Sequence, residues 1–139
     1  MATNLVLYWD ASAVISALFK GVHSEQAWEM SRREGVHLMS SLSLAETHAV
    51  INRMARERVL ADVLIKAALE ALATGPWRYI NLSPGHEEIA KLGVKWPLRG
   101  ADLWHLSLAV SLKSHLPELS LLTFDSRLQM AARGEQLSL

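Results

Sequence analysis

The chain contains no cysteine, which excludes disulfides, zinc–thiolate sites and thiol catalysis. It also has no net charge, because 14 Lys and Arg balance 14 Asp and Glu. That balance gives no steering towards nucleic acid or membrane, so any binding of a polyanion must rest on a local patch. No basic segment precedes the first apolar run, which stops at Asp10. It is too short for a signal-peptide core or a bilayer span, so a cytoplasmic protein with no membrane association is expected. Repeats and low-complexity tracts are absent, and so is a P-loop glycine motif, leaving ATP hydrolysis without support.

What remains is a chain of 139 residues, half hydrophobic and one-fifth charged, which suits one globular domain spanning 1–139. Strand patterns fall at 4–9, 36–39, 77–82 and 119–124. The first is a continuous apolar run of the kind found in sheets covered on both faces. Helical patterns fall at 11–20, 24–33, 43–58, 60–73, 84–92, 101–116 and 126–133. Gly35 is read as the stop of the second helix, Pro84 as the first residue of the fifth, and 93–100 as a loop. Strands alternating with helices predict a three-layer α/β/α sandwich around a mainly parallel sheet.

Four acids stand at strand ends or helix starts within apolar sequence: Asp10, Glu46, Asp102 and Asp125. Ligands of open parallel sheets bind beyond the carboxyl ends of the strands, where Asp10 and Asp125 fall. Each acid has a plainer role available. Asp10 and Asp125 suit helix N-caps, and Glu46 completes Ser43-x-x-Glu46, a capping box in form. Asp102 begins a helix among Leu103, Leu106 and Leu108, which points it into the interior or a cleft. Unpaired buried carboxylates cost several kcal/mol, on the order of a protein's whole stability margin, so a cluster of them calls for a cation. A hard divalent ion such as Mg²⁺ or Mn²⁺, taking oxygen ligands and acting on a phosphodiester, fits that chemistry.

The acids also sit in ordered motifs: Asp10-Ala11-Ser12 after the first strand, Leu42-Ser43-Leu44-Ala45-Glu46, Asp102-Leu103-Trp104-His105, and Thr123-Phe124-Asp125. Together they resemble the PIN-domain ribonucleases over essentially the whole chain. Size and order are similar to those of the VapC-like toxins of bacterial and archaeal toxin–antitoxin pairs. The resemblance implies a Mg²⁺- or Mn²⁺-dependent endoribonuclease that cleaves RNA by attack of activated water on phosphorus. It makes Asp10, Glu46, Asp102 and Asp125 the catalytic and metal-binding acids, with Ser12 and Thr123 in support. It also implies a homodimer silenced by a cognate antitoxin protein. Trp104 departs from the small residues usual beside the third acid, and the charge is less basic than in many members.

Several residues stay open between two roles. His105, one turn after Asp102, either supports the site or is a hydrogen-bonded structural residue. Arg99 and Arg53 are candidate phosphate contacts, or solvated charges. His23, His37, His48, His86 and His115 lack metal-ligand spacing and are placed at the surface or its boundary. Trp9 and Trp77 are assigned to the core, and Trp96 to stacking on a base or a partner. Val14, Leu18 and Phe19 are candidates for a partner groove. The competing functional class is a catalytically silent PIN-like protein-binding module.

Overall fold

The computed structural model describes residues 5–139. The elements in chain order are β1 (Leu5–Trp9), α1 (Ala11–Leu18), α2 (Ser24–Ser31), β2 (Gly35–Ser40), α3 (Ser41–Arg56) and α4 (Asp62–Thr74). Then follow β3 (Trp77–Ile80), α5 (His86–Lys95), α6 (Gly100–Lys113), β4 (Leu119–Leu122) and α7 (Ser126–Gly134). The four strands form one sheet in the order β3-β2-β1-β4, and every pairing is parallel.

The alternation of side chains along β1 creates the three layers. Val6 and Tyr8 face one way and join Leu92, Leu106, Leu108 and Leu128 from α5, α6 and α7. Leu7 and Trp9 face the other way and join Val14, Ala27, Ile51, Ile65 and Leu72 from α1 to α4. A strand apolar on both sides is thus buried on both sides, and the expected α/β/α sandwich is the observed one.

The boundaries differ where tertiary contacts override local signals. Gly35 does not stop a helix; it opens β2 opposite Leu5, with φ +150. A Cβ there would lie 2.4 Å from the Leu5 carbonyl oxygen, so only glycine permits this approach. Pro84 lies outside α5, which begins at His86 and runs through Gly93 into the expected loop. Gly93 faces Leu103 of α6, where an added Cβ would stand 3.3 Å from the leucine methyl, so close α5–α6 packing favours helix there. The position of Asn4, expected to start β1, falls outside the described residues.

His37 is a further correction. It is 2% exposed rather than superficial, accepting from Trp9 Nε1 at 3.1 Å and reaching the Arg33 carbonyl oxygen at 2.9 Å. Val14 is wholly buried and cannot line a surface groove, whereas Leu18 and Phe19 border a shallow cavity with Trp28. Substituting Gly35→Ala should destabilise the protein by about 1–3 kcal/mol, because the alanine is forced into a disfavoured φ and against Leu5. A lowered urea midpoint at unchanged m-value checks this.

Candidate active site at the carboxyl edge of the sheet

β1, β4 and β2 all end at one edge, and each delivers a polar residue as it leaves the sheet. Asp10 follows β1, is 3% exposed, and caps α1 by accepting from the Ala13 backbone N–H at 2.9 Å. The same Oδ1 accepts from the Ser12 hydroxyl at 2.7 Å, and Oδ2 accepts from the Thr123 hydroxyl at 2.5 Å. An ionised carboxylate has about four lone-pair sites, so these three bonds leave one free, on Oδ2. Burial pushes the Asp10 carboxyl above its ordinary range, against the bonds from Thr123, Ser12 and Ala13 and the charge of His105.

β4 stops at Leu122, two residues before the expected end, because its continuation serves the site. The Phe124 N–H donates to Ser12 Oγ at 3.0 Å, and the Asp125 N–H to Thr123 Oγ1 at 3.1 Å. Side chains thus replace the ladder. Asp125 caps α7 by accepting from the Leu128 N–H through Oδ1 at 2.9 Å, which leaves its other oxygen uncommitted.

Glu46 is not part of a capping box. α3 starts two residues earlier than expected, capped by Ser40, whose Oγ accepts from the Ser43 N–H at 3.1 Å. Glu46 therefore lies in the second turn of α3, where its Oε1 meets His105 Nε2 at 2.6 Å. The His105 ring is nearly inaccessible and meets the Tyr8 hydroxyl through Nδ1, also at 2.6 Å. Tyr8 donates to Ser40 Oγ at 3.0 Å, so its hydroxyl links His105 to the cap of α3. Both ring nitrogens are engaged, Nδ1 by Tyr8 and Nε2 by Glu46, and the ring is held rigidly behind Glu46.

Asp102 stands in the first turn of α6, half-buried. Burial raises its carboxyl above the ordinary range, and the charges of Asp125, Asp10 and Glu46 raise it further while His105 opposes them. Asp102 therefore lies in the field of the other three acids. Asp102 and Asp125 line an open cleft of about 230 Å³ with Arg99, Ser126 and Arg127. Arg53 is not part of it: it is exposed two helical turns along α3 from Glu46, about 10 Å away by helical rise.

Two contributors escaped the sequence reading. Tyr8 was read as one residue of an apolar run, although alternation along β1 puts it on the α6 side, opposite His105. Arg127, two residues after Asp125, is the other, and its only sequence signal is its place in the first turn of the helix that Asp125 caps.

An all-oxygen donor set suits a hard cation that keeps most of its waters and takes few protein ligands. Among the described residues, no three His, Asp or Glu side chains stand close enough to hold an ion jointly. The fit is therefore to a water-rich ion held by one or two carboxylates with substrate oxygens, rather than to a closed protein cage.

The PIN domain family profile matches residues 7–134. No curated protein matches the chain. Among solved structures, PAE2754 from Pyrobaculum aerophilum is similar at TM-score 0.63 and 17% identity, covering 94% of this chain and 81% of that one. VapC20 from Mycobacterium tuberculosis, described as a toxin cleaving the sarcin–ricin loop, gives 0.59 and 15%, covering 90% of this chain and 94% of its own. VapBC2 from Rickettsia felis, bound to a DNA fragment of its promoter, gives 0.56 and 14%, covering 87% and 100%. At these identities the structures establish the fold.

The raised Asp102 carboxyl sets a sign for pH dependence. The folded state holds that proton at pH values where the unfolded chain has lost it, so this group's contribution to stability falls as pH rises from the ordinary Asp range, about 4. In metal-free protein, Asp102→Asn should therefore raise the melting temperature at neutral pH, with the gain shrinking towards acid pH. Mg²⁺ or Mn²⁺ should raise the wild-type melting temperature and act less on the variant. Differential scanning fluorimetry across pH, with and without the metal, checks both.

Proposed function

We propose, on the premise that this chain belongs to the PIN-domain family, that it is a Mg²⁺- or Mn²⁺-dependent endoribonuclease and the toxin of a toxin–antitoxin pair. The observation that carries the catalytic half is the convergence of Asp125, Asp10 and Glu46 on the half-buried carboxyl of Asp102, which their charges raise. Such an arrangement costs stability and is of use once a cation and a phosphate enter together. The likeness to VapC20 and VapBC2 supports the toxin half and with it an antitoxin partner; a homodimer and a cytoplasmic setting belong to the same proposal. Among the described residues, no helix is long and apolar enough to cross a membrane.

A bound divalent ion would supply Lewis acidity and a bound water more acidic than bulk water. The chain's own residues supply position and charge. Asp10 offers the free lone pair of Oδ2 from a carboxylate clamped by Ser12, Thr123 and the Ala13 N–H. Asp102 and Asp125 face the open cleft, and Asp125 has one oxygen free of its cap. Glu46 is aimed by His105, which the Tyr8–Ser40 chain keeps from turning. Arg99 on the cleft wall provides a cation for the RNA phosphate, and exposed Arg53 serves a more distant part of the strand.

Incubation of the purified protein with total RNA in Mn²⁺ should give discrete cleavage products, and EDTA should abolish them. Asp10→Asn and Asp102→Ala should each lower the rate by about a hundredfold or more, since each removes charge at the reacting phosphate. Cleavage that survives both substitutions would sink the site assignment. Tight binding of a partner protein with no cleavage of any RNA would favour the silent binding module.

A further inference from the structure

Beside the acid cleft lies a second cavity of about 380 Å³, lined by Trp96, Pro97, Leu98, Ser126, Arg127 and Met130. Its walls are mainly apolar, whereas those of the cleft are polar and charged. Ser126 and Arg127 belong to both, so the two spaces adjoin across the first turn of α7. On the opposite side the border falls between Leu98 and Arg99, the first lining the apolar cavity and the second the cleft.

Three features mark the cavity as a binding site rather than a packing flaw. Its Trp96 wall is fixed in advance: Nε1 donates to Glu135 Oε2 at 3.0 Å, and Glu135 is held by Lys95 at 2.7 Å. The ring edge rests on Gly134, where a Cβ would intrude to 2.3 Å, so a larger residue there would displace the wall. Next, Met130 is 66% exposed, an apolar side chain open to water one turn after Arg127. Finally, neither Arg99 nor Arg127 forms an ion pair among the described residues, although Asp102 and Asp125 line the same cleft.

An occupant that satisfies both halves is apolar where it meets Trp96, Pro97, Leu98 and Met130, and anionic where it meets the arginines. We propose that this cavity receives one base of single-stranded RNA, with the adjoining phosphate held between Arg127 and Arg99. The proposal rests on the ribonuclease reading above and adds where the strand runs: from the acid cleft over the first turn of α7 and towards α5. Pockets of this size and lining take flat ligands by burying apolar area, with a few polar groups fixing orientation. Contacts of this kind tolerate any base, while the shape of the walls grades them.

The test separates the two layers. Affinity for a short fluorescein-labelled single-stranded oligoribonucleotide is measured by anisotropy in EDTA, which keeps the strand intact. The same strand is then used with an abasic nucleotide at each position in turn. For the wild type, one abasic position should cost about tenfold in affinity. In Met130→Ser and Leu98→Ser proteins, whose melting curves show that they fold, the same abasic change should cost much less. Arg127→Gln should weaken every strand alike and lower the salt slope by about one phosphate contact.

Abasic and cavity losses that simply add would overturn the base pocket while leaving the ribonuclease reading intact, because the strand would still bind and be cleaved. An unchanged salt slope in Arg127→Gln would overturn the phosphate placement. No binding by the wild type, together with no cleavage of total RNA in Mn²⁺, would remove the ribonuclease reading and the proposal with it.

Discussion

The clamp on the Asp10 carboxylate holds this edge of the molecule together. A carboxylate that is 3% exposed is a large liability, and only hydrogen bonds to its ionised form offset the cost of burial. The three donors come from different places: the Ser12 hydroxyl and Ala13 N–H from the start of α1, and the Thr123 hydroxyl from beyond β4. Holding Asp10 therefore draws the end of β4 onto the end of β1. That contact carries Phe124 and Asp125 with it, through the bonds to Ser12 Oγ and Thr123 Oγ1. Asp125 is then in position to cap α7 and to face the cleft.

The other side of the site is built from the strand interior. Tyr8 and Trp9 point to opposite faces of β1, yet both reach α3. Tyr8 does so through its hydroxyl on Ser40, the cap of α3, while also meeting His105 of α6, and Trp9 does so through its carbonyl, which accepts from Ser43 Oγ at 2.9 Å. Burial pushes the Tyr8 hydroxyl above its ordinary range, so it stays a neutral donor and hands a fixed geometry to His105. Glu46 is then aimed by packing in the sheet rather than by its own helix. The two halves differ in kind: Asp10 is fixed by donors that bind it directly, and Glu46 by a ring that core residues immobilise.

This difference explains how much was legible in the sequence. A short apolar run ending in Asp-x-Ser, and a Thr-x-Asp after another, place polar residues at strand ends where few roles are open to them. The sheet edge, Asp10, Ser12, Thr123 and Asp125 could thus be read locally. The start of α3 could not. Ser40, Ser41 and Ser43 are all capable caps, and the choice falls to Ser40 because its oxygen also accepts from Tyr8, 32 residues away in sequence. With the cap wrongly placed at Ser43, Glu46 looked like a capping partner. Tyr8 was hidden for a related reason: in a run buried on both faces a hydroxyl is invisible until its partner on α6 is known. Gly35 misled in the opposite direction, since its local pattern of helix end and glycine also serves a strand that must approach Leu5 closely.

The absence of net charge acquires a meaning from this arrangement. A basic protein can collect a polyanion from a distance and sort out contacts later. This chain has no such field, and its acids oppose a phosphate at the very place where they would use one. Under the proposed function, binding would therefore come from contacts made at close range, where a cation offsets the acids and specific side chains hold the strand. Arg99 and Arg127 beside the acids, with an apolar cavity adjoining them, are that kind of contact. A site built this way would give up speed of encounter and gain selectivity, because a strand that fails to fill the local contacts would have little else to hold it.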